Sequence, residues 1–222
     1  MTKPRLVLFD LDHTLLAGDS DVLWCEFLMD KGLLDRAQFA LRNADMESRY
    51  QAGTVSTHEF AGFYVRTLAG HSPESLEGLR GEFLREAIVP RIPSKAMALV
   101  KAHLDAGELC VMTTATNRYI TQLTAAHFGI AHLLATETEI EDGMFTGRPS
   151  GTLNMREGKV ARLNEWLSAR GEQLRDYTST AYSDSINDQP LLEAVDEPVA
   201  VDPDPRLLRL ATARGWKLLH LR

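Results

Sequence analysis

Apolar positions along this chain occur in two patterns, short unbroken runs and longer stretches with helical spacing. The first run, Leu6-Val7-Leu8-Phe9, carries no charge and reads as a strand buried on both faces, central in a parallel sheet. Over residues 17–89 the spacing is helical, with no strand-like run. Leu23/Phe27 and Trp24/Leu28 are i,i+4 pairs, and Ala37, Ala40, Leu41 and Ala44 repeat along one helical face. Ser56-Thr57-His58-Glu59 has the form of a capping box ahead of Phe60, Phe63 and Tyr64. Ser72-Pro73 has that of an N-cap with proline at the first helical position. About four short helices are expected, a small bundle. Pro90 and Pro93 then mark a stiff return.

From there helix and strand alternate. Ser94 is expected to cap a helix carrying Leu99, Val100, His103 and Leu104, which stops at Gly107. Residues 109–113 read as a strand, 116–128 as a helix, 133–136 as a strand, and 138–146 as a hairpin turning at Asp142-Gly143. A helix at 157–169, a strand at 178–183, a helix at 189–194 and a strand at 198–201 follow. A helix from Pro205 and a strand at 216–220 close the series. The predicted class is α/β, a doubly wound, mostly parallel sheet. Residues 1–16 and 90–222 form its core, and 17–89 an inserted all-helical unit.

At 222 residues the chain can bury such a core and carry the insertion. Its net charge of −7 argues against nucleic acid, which needs a clustered basic face. No apolar run approaches the roughly 20 residues of a membrane span, and the first residues lack a signal-peptide pattern. Cys25 and Cys110 stand far apart in apolar segments and read as reduced core residues. A cytoplasmic monomer or weak dimer, with no membrane partner, is the expectation.

The chemistry gathers where strands end. The first strand runs into Asp10, Asp12 and Thr14. Burying carboxylates there is costly unless a cation or donors hold them, and ligands bind at that end of open α/β sheets. Asp10 therefore reads as a nucleophile with Asp12 aimed into the same crevice; an Asx-type turn of solvated acids is the alternative. Val111-Met112-Thr113-Thr114-Ala115-Thr116-Asn117 passes from a strand through hydroxyls to a helix start, the setting of an anion site or of an ordinary N-cap at Thr116. Lys159 follows Gly158 at a helix start, and Asp184 and Asp188 lie four apart after a strand.

This order of acid pair, hydroxyl, lysine and acid pair resembles the four motifs of the haloacid dehalogenase (HAD) superfamily of phosphohydrolases, over nearly the whole chain. The resemblance implies a Rossmann-like core with a helical cap, and Mg²⁺ held by Asp10, the Asp12 carbonyl and Asp184, with Asp188 in support. Asp10 would form an aspartyl phosphate, and Asp12 would protonate the leaving alkoxide and then activate water. Thr114 (or Thr113, one residue off), Ala115, Lys159 and Asn187 would hold phosphate, with Arg156 and Arg148 as weaker substitutes for the lysine. Ser183 departs from the motif, where glycine is usual.

The position of the insertion resembles the phosphoserine-phosphatase branch. There a glutamate nine residues after the nucleophile reads the substrate amine; here that position is Asp19, which reads equally well as an N-cap. Arg49 and Arg66 are candidates for an arginine that would hold a substrate carboxylate. The expected activity is a Mg²⁺-dependent phosphomonoesterase acting on a small ester, with amine-bearing ones such as phosphoserine or histidinol phosphate in view. A phosphotransferase with the same chemistry, or a non-catalytic phospho-ligand binder, are the alternatives. The complete set of acids, threonine and lysine speaks against the binder.

Overall fold

The uncharged first run lies where its composition puts it. In the computed structural model, which describes residues 3–51, 54 and 56–222, the strands in chain order are β1 (Arg5–Phe9), β2 (Leu109–Asn117), β3 (His132–Glu141), β4 (Met144–Ser150), β5 (Thr178–Ser183), β6 (Glu197–Val201) and β7 (Lys217–Leu219). They make one sheet in the order β4-β3-β2-β1-β5-β6-β7. β1 is thus central and parallel to both neighbours. Within this sheet β4 alone is antiparallel, joined to β3 by a turn in which Asp142 and Gly143 have φ of 50° and 77°. Positive φ at both turn residues is the type I′ geometry that suits hairpin twist.

The helices explain why β1 does not alternate. Between β1 and β2 lie α1 (Ser20–Asp30), α2 (Arg36–Gln51), α3 (Thr57–Val65), α4 (Pro73–Phe83) and α5 (Ser94–Asp105). Then come α6 (Arg118–His127), α7 (Glu157–Ala169), α8 (Gln189–Ala194) and α9 (Pro205–Arg214). Val7 and Phe9 enter one apolar core with residues of α1, α4, α5 and α6, while Leu6 and Leu8 enter a second with α7, α8 and α9. Both faces of the strand are therefore covered.

The helical insertion is bound to the sheet at defined points. Trp24 and Phe27 of α1 pack on Phe83 of α4, with ring centroids 5.1 and 5.6 Å away. Its two connections run side by side, the Ala17 N–H donating to the Arg91 carbonyl at 2.9 Å. The return passes through a π turn (Leu84–Ile88) and a 3₁₀ turn (Val89–Arg91) containing Pro90. The Gly70 N–H donates to the Phe145 carbonyl, and the Phe145 N–H to the His71 carbonyl, both at 2.9 Å, so β4 is stitched to the insertion. At Gly147 (φ 81°) a Cβ would lie 2.8 Å from that of Ala69.

Several local expectations need correction. Asn117 caps α6, accepting from the Ile120 N–H at 3.1 Å, and β2 runs on to that residue because the Thr116 hydroxyl is engaged elsewhere. Ser94 is the first residue of α5, whose N-cap is Pro93. The hydroxyl of Ser56 caps α3, but the Glu59 carboxylate pairs with Arg49 at 2.7 Å, so that pairing rather than a reciprocal box holds it. Strand β3 is longer than expected and β7 shorter. Both cysteines are free and buried. No described helix is long and apolar enough to cross a membrane.

Candidate active site

The carboxyl end of β1 is the switch point of the sheet, since the chain proceeds to β2 on one side and reaches β5 on the other. The Asp10 N–H still pairs with the Tyr182 carbonyl at 3.0 Å, which fixes the residue at the strand end. The Leu11 carbonyl then accepts from the N–H groups of Thr14, Leu15 and Leu16 at 3.0–3.2 Å, curling the loop back with His13 at φ 58°.

That curl brings the acids to their partners. Lys159 Nζ lies 2.7 Å from Asp10 Oδ1 and 2.6 Å from Asp188 Oδ2, and all three residues are buried. The Thr14 hydroxyl is 2.8 Å from Asp10 Oδ2 and 3.3 Å from Asp184 Oδ1, and it accepts from the Asp184 N–H at 3.0 Å. The Ser183 hydroxyl donates to Asp188 Oδ2 at 2.7 Å, so the residue in the usual glycine position orients the second acid. Asp12 accepts from the Ser20 N–H at 2.7 Å, the Thr116 hydroxyl at 3.0 Å and the Thr114 hydroxyl at 3.2 Å.

Charge is poorly balanced there. Desolvation first, then the neighbouring charges of Asp188 and Asp12, push Asp10 up to about 7 even though Lys159 pulls the other way. Desolvation and Asp19 carry Asp12 to about 6. Desolvation, Asp10 and Asp188 carry Asp184 to about 8. Burial opposes the Lys159 charge, yet Asp10 and Asp188 outweigh it and hold the ammonium above the ordinary lysine range.

The cavity above these groups, about 260 Å³, is lined by Asp10, Asp12, Lys159, Asp184 and Asp188 and by the expected Ala115 and Asn187. Asp19 caps α1, accepting from the Val22 N–H at 3.0 Å, and it lines the cavity as well. Thr114 and Thr113 are distinguished by their bonds. Thr114 reaches Asp12, while the Thr113 hydroxyl accepts from Asn154 Nδ2 at 2.9 Å. Arg49 and Arg66 do not line the cavity: Arg49 pairs with Glu59, and Arg66 borders a separate hollow with Phe39 and Phe63. Arg148 sits in surface pairs with Glu139 and Glu141. Arg156 precedes α7 with φ 52°.

Several residues of the site escape the sequence reading. Asn154 is fully buried and bridges Thr113, the Thr114 carbonyl and the Leu134 carbonyl, all at 2.9 Å, with no local sequence signal. A Cβ at Gly158 would lie 1.9 Å from the Leu153 carbonyl oxygen, so glycine is what lets the chain bring Lys159 in. Asp204 caps α9 and accepts from the Ile186 N–H at 2.7 Å, bracing the loop after β5; its Asp-Pro start is a signal that could have found it. Asp21, Phe60 and Tyr64 also line the cavity.

Oxygen donors under mutual repulsion are what a hard dication requires. Among the described residues no three His, Cys, Asp or Glu side chains are grouped so that they alone could hold a metal ion. A site made of two carboxylates and a carbonyl could still hold such an ion, and the residues that could supply it are Asp10, Asp184 and the main chain of Asp12. Asp188, bonded to Lys159 and Ser183, stands behind them.

Residues 7–193 match the family model of the haloacid dehalogenase-like hydrolases. A histidinol-phosphatase of Neisseria meningitidis is 41% identical over 220 residues, covering 98% of this chain and 99% of the relative. A phosphoserine phosphatase of Mycobacterium tuberculosis is 33% identical, covering 96% of this chain and 70% of the relative. A solved protein of unknown function from Bordetella pertussis superposes with a TM-score of 0.95 at 47% identity, each chain covered fully. A substrate-bound phosphoserine phosphatase shares the fold, with a TM-score of 0.68 at 17% identity, covering 99% of this chain and 94% of that one. By its motifs, its fold and these matches, the chain belongs to the haloacid dehalogenase-like hydrolases.

Proposed function

We propose that this hydrolase is a phosphomonoesterase that cleaves a small phosphorylated metabolite through an aspartyl phosphate on Asp10. The observation that carries this reading is the buried Asp10–Lys159–Asp188 arrangement, with Asp12 two residues from the nucleophile. Asp10 attacks phosphorus in line, with Lys159 holding the charge of the nucleophile and of the incoming phosphoryl oxygens. Thr114, Asn187 and the main chain at Ala115 are assigned to the phosphate oxygens. Asp12, at about 6, keeps a protonated fraction near neutrality and gives its proton to the leaving alkoxide. The carboxylate so formed then takes a proton from the water that opens the acyl phosphate. Asp10, Asp184 and the Asp12 carbonyl would hold Mg²⁺, which when bound supplies charge neutralisation among the acids and polarises the phosphoryl group.

The helical insertion, residues 17–89, acts as the cap over the site, with Phe60 and Tyr64 of α3 lining the cavity. The cavity lies below the roughly 300–1,000 Å³ of pockets for drug-sized ligands, which suits a small ester. Histidinol phosphate is favoured by the name of the 41% identical relative, which aligns over almost its whole length. An acid at Asp19 and, among the described residues, no arginine lining the cavity suit an amine-bearing ester better than one that also bears a carboxylate, such as phosphoserine.

The test is phosphate release from a panel of esters with Mg²⁺ or with EDTA. Histidinol phosphate should be the best substrate, with release lost in EDTA and in Asp10→Asn. A fully active Asp10→Asn enzyme would refute the covalent step. Transfer of phosphate to an added alcohol in preference to water would instead establish the phosphotransferase.

A further inference from the structure

The cavity holds a carboxylate that this mechanism leaves idle. Asp21 sits in the first turn of α1, next to donors that are already engaged. The Ser20 N–H serves Asp12, the Val22 N–H serves the Asp19 carboxylate, and the Leu23 N–H serves the Asp19 carbonyl. The Thr116 hydroxyl lies 3.0 Å from Asp12 and also reaches the Asp21 carboxylate, so one Asp21 oxygen is answered. Asp21 Oδ1, shut off from bulk solvent, is left with no hydrogen-bond partner among the described residues. The charges that face Asp21 are those of Asp19 and Asp12, both negative, while Lys159 is held between Asp10 and Asp188.

A buried acceptor without a donor is costly, and more so when charged. Among the described residues, no cation faces Asp21 itself. The same cavity is bordered by Phe60 and Tyr64, one turn apart on α3 with their rings edge to face and centroids 5.6 Å apart. Aromatic surface accepts flat rings and cationic groups.

Resting on the phosphatase reading, we propose that Asp21 is a specificity-determining residue that accepts a hydrogen bond from a second nitrogen of the leaving group. Asp19 meets the primary amine, and Asp21 meets a basic or N–H-bearing nitrogen carried on a small flat ring beside Phe60 and Tyr64. The preferred substrates are phosphate esters of amino alcohols with two such nitrogens. Esters with one nitrogen fill Asp19 alone.

The experiment compares three esters, histidinol phosphate with two nitrogen centres, phosphoethanolamine with one and glycerol phosphate with none, in the Mg²⁺-loaded wild type, Asp21→Asn and Asp21→Glu. A parallel titration measures binding of histidinol, the dephosphorylated alcohol. Asp21→Asn should lower the kcat/KM ratio of histidinol phosphate over phosphoethanolamine roughly 10- to 100-fold, as expected for one charged hydrogen bond. The loss should fall mainly on KM, with histidinol binding weakened in proportion and partly restored in Asp21→Glu. An equal loss on all three esters would assign Asp21 to the structure or to the tuning of Asp12, and would overturn the proposal. If the wild type released phosphate from none of them, the phosphatase reading would fall. Weaker histidinol binding in Asp21→Asn would then still uphold the nitrogen site, and unchanged binding would overturn it.

Discussion

Lys159 is 3% exposed and answers two carboxylates at once, so its removal is felt in both stability and chemistry. Replacing it by Met leaves Asp10 and Asp188 buried without a cation, at a cost of about 3–5 kcal/mol for a broken buried pair. Denaturant unfolding should show that loss at pH 8 and a smaller one at pH 6, where Asp10 takes up a proton instead. Equal losses at the two pH values would mean that the stem of the lysine, not its charge, is what counts. Its neighbour sets a second constraint. Gly158→Ala puts a methyl group 1.9 Å from the Leu153 carbonyl, where no rotamer relieves the clash. The turn must shift, and kcat should fall at least tenfold although no functional group is removed; wild-type kinetics in this variant would disprove the steric argument. Ser183 makes the converse point. Where the motif usually has glycine, this chain has a hydroxyl that donates to Asp188, a role that spacing five residues apart hints at but cannot establish.

At the scale of elements, β4 belongs to the sheet through β3 and to the insertion through Gly70 and His71. Gly147, held at φ 81° against Ala69, lets the two surfaces meet. Gly147→Val should separate them, lowering stability and raising amide exchange at Gly70 and Phe145, with the β1–β5 amides unaffected. Uniform exchange changes across the sheet would argue that the stitch is no separate unit. Elements of this kind differ in how far the sequence announces them. β1, the Asp142-Gly143 turn and the caps at Ser56 and Ser72 follow from residues within a few positions of one another. The start of α6 does not, because Thr116 has the chemistry of an N-cap but gives its hydroxyl to Asp12, 104 positions away. Asn154 is harder still, since its partners lie 20 to 41 positions away. Of the candidate site, the acids and the lysine could be read from their order along the chain. The neutral side chains that orient them could not.

For the molecule as a whole, the crowded acids predict how stability varies with pH. Asp10, Asp12 and Asp184 sit at about 7, 6 and 8, above the ordinary value near 4, so the metal-free folded state binds more protons than the unfolded chain across this window. Stability from these groups is greatest on the acidic side of the window and falls as pH rises through it. His132, lowered by burial and Arg170, works the other way as one partly exposed group. The melting temperature of metal-free protein should therefore drop between pH 6 and pH 8.5, and saturating Mg²⁺ should flatten the slope by favouring the ionised acids. An identical slope with and without Mg²⁺ would separate the metal from these carboxylates. The central place of β1 also has a consequence for biosynthesis. Arg5 pairs with Thr178, so this apolar strand leaves the ribosome about 170 residues ahead of one of its two partners. At roughly 5–20 residues per second it waits some 10–30 s, with one edge open, before the sheet can close around it. Newly made chains should thus depend on holding chaperones during translation far more than the finished protein does afterwards.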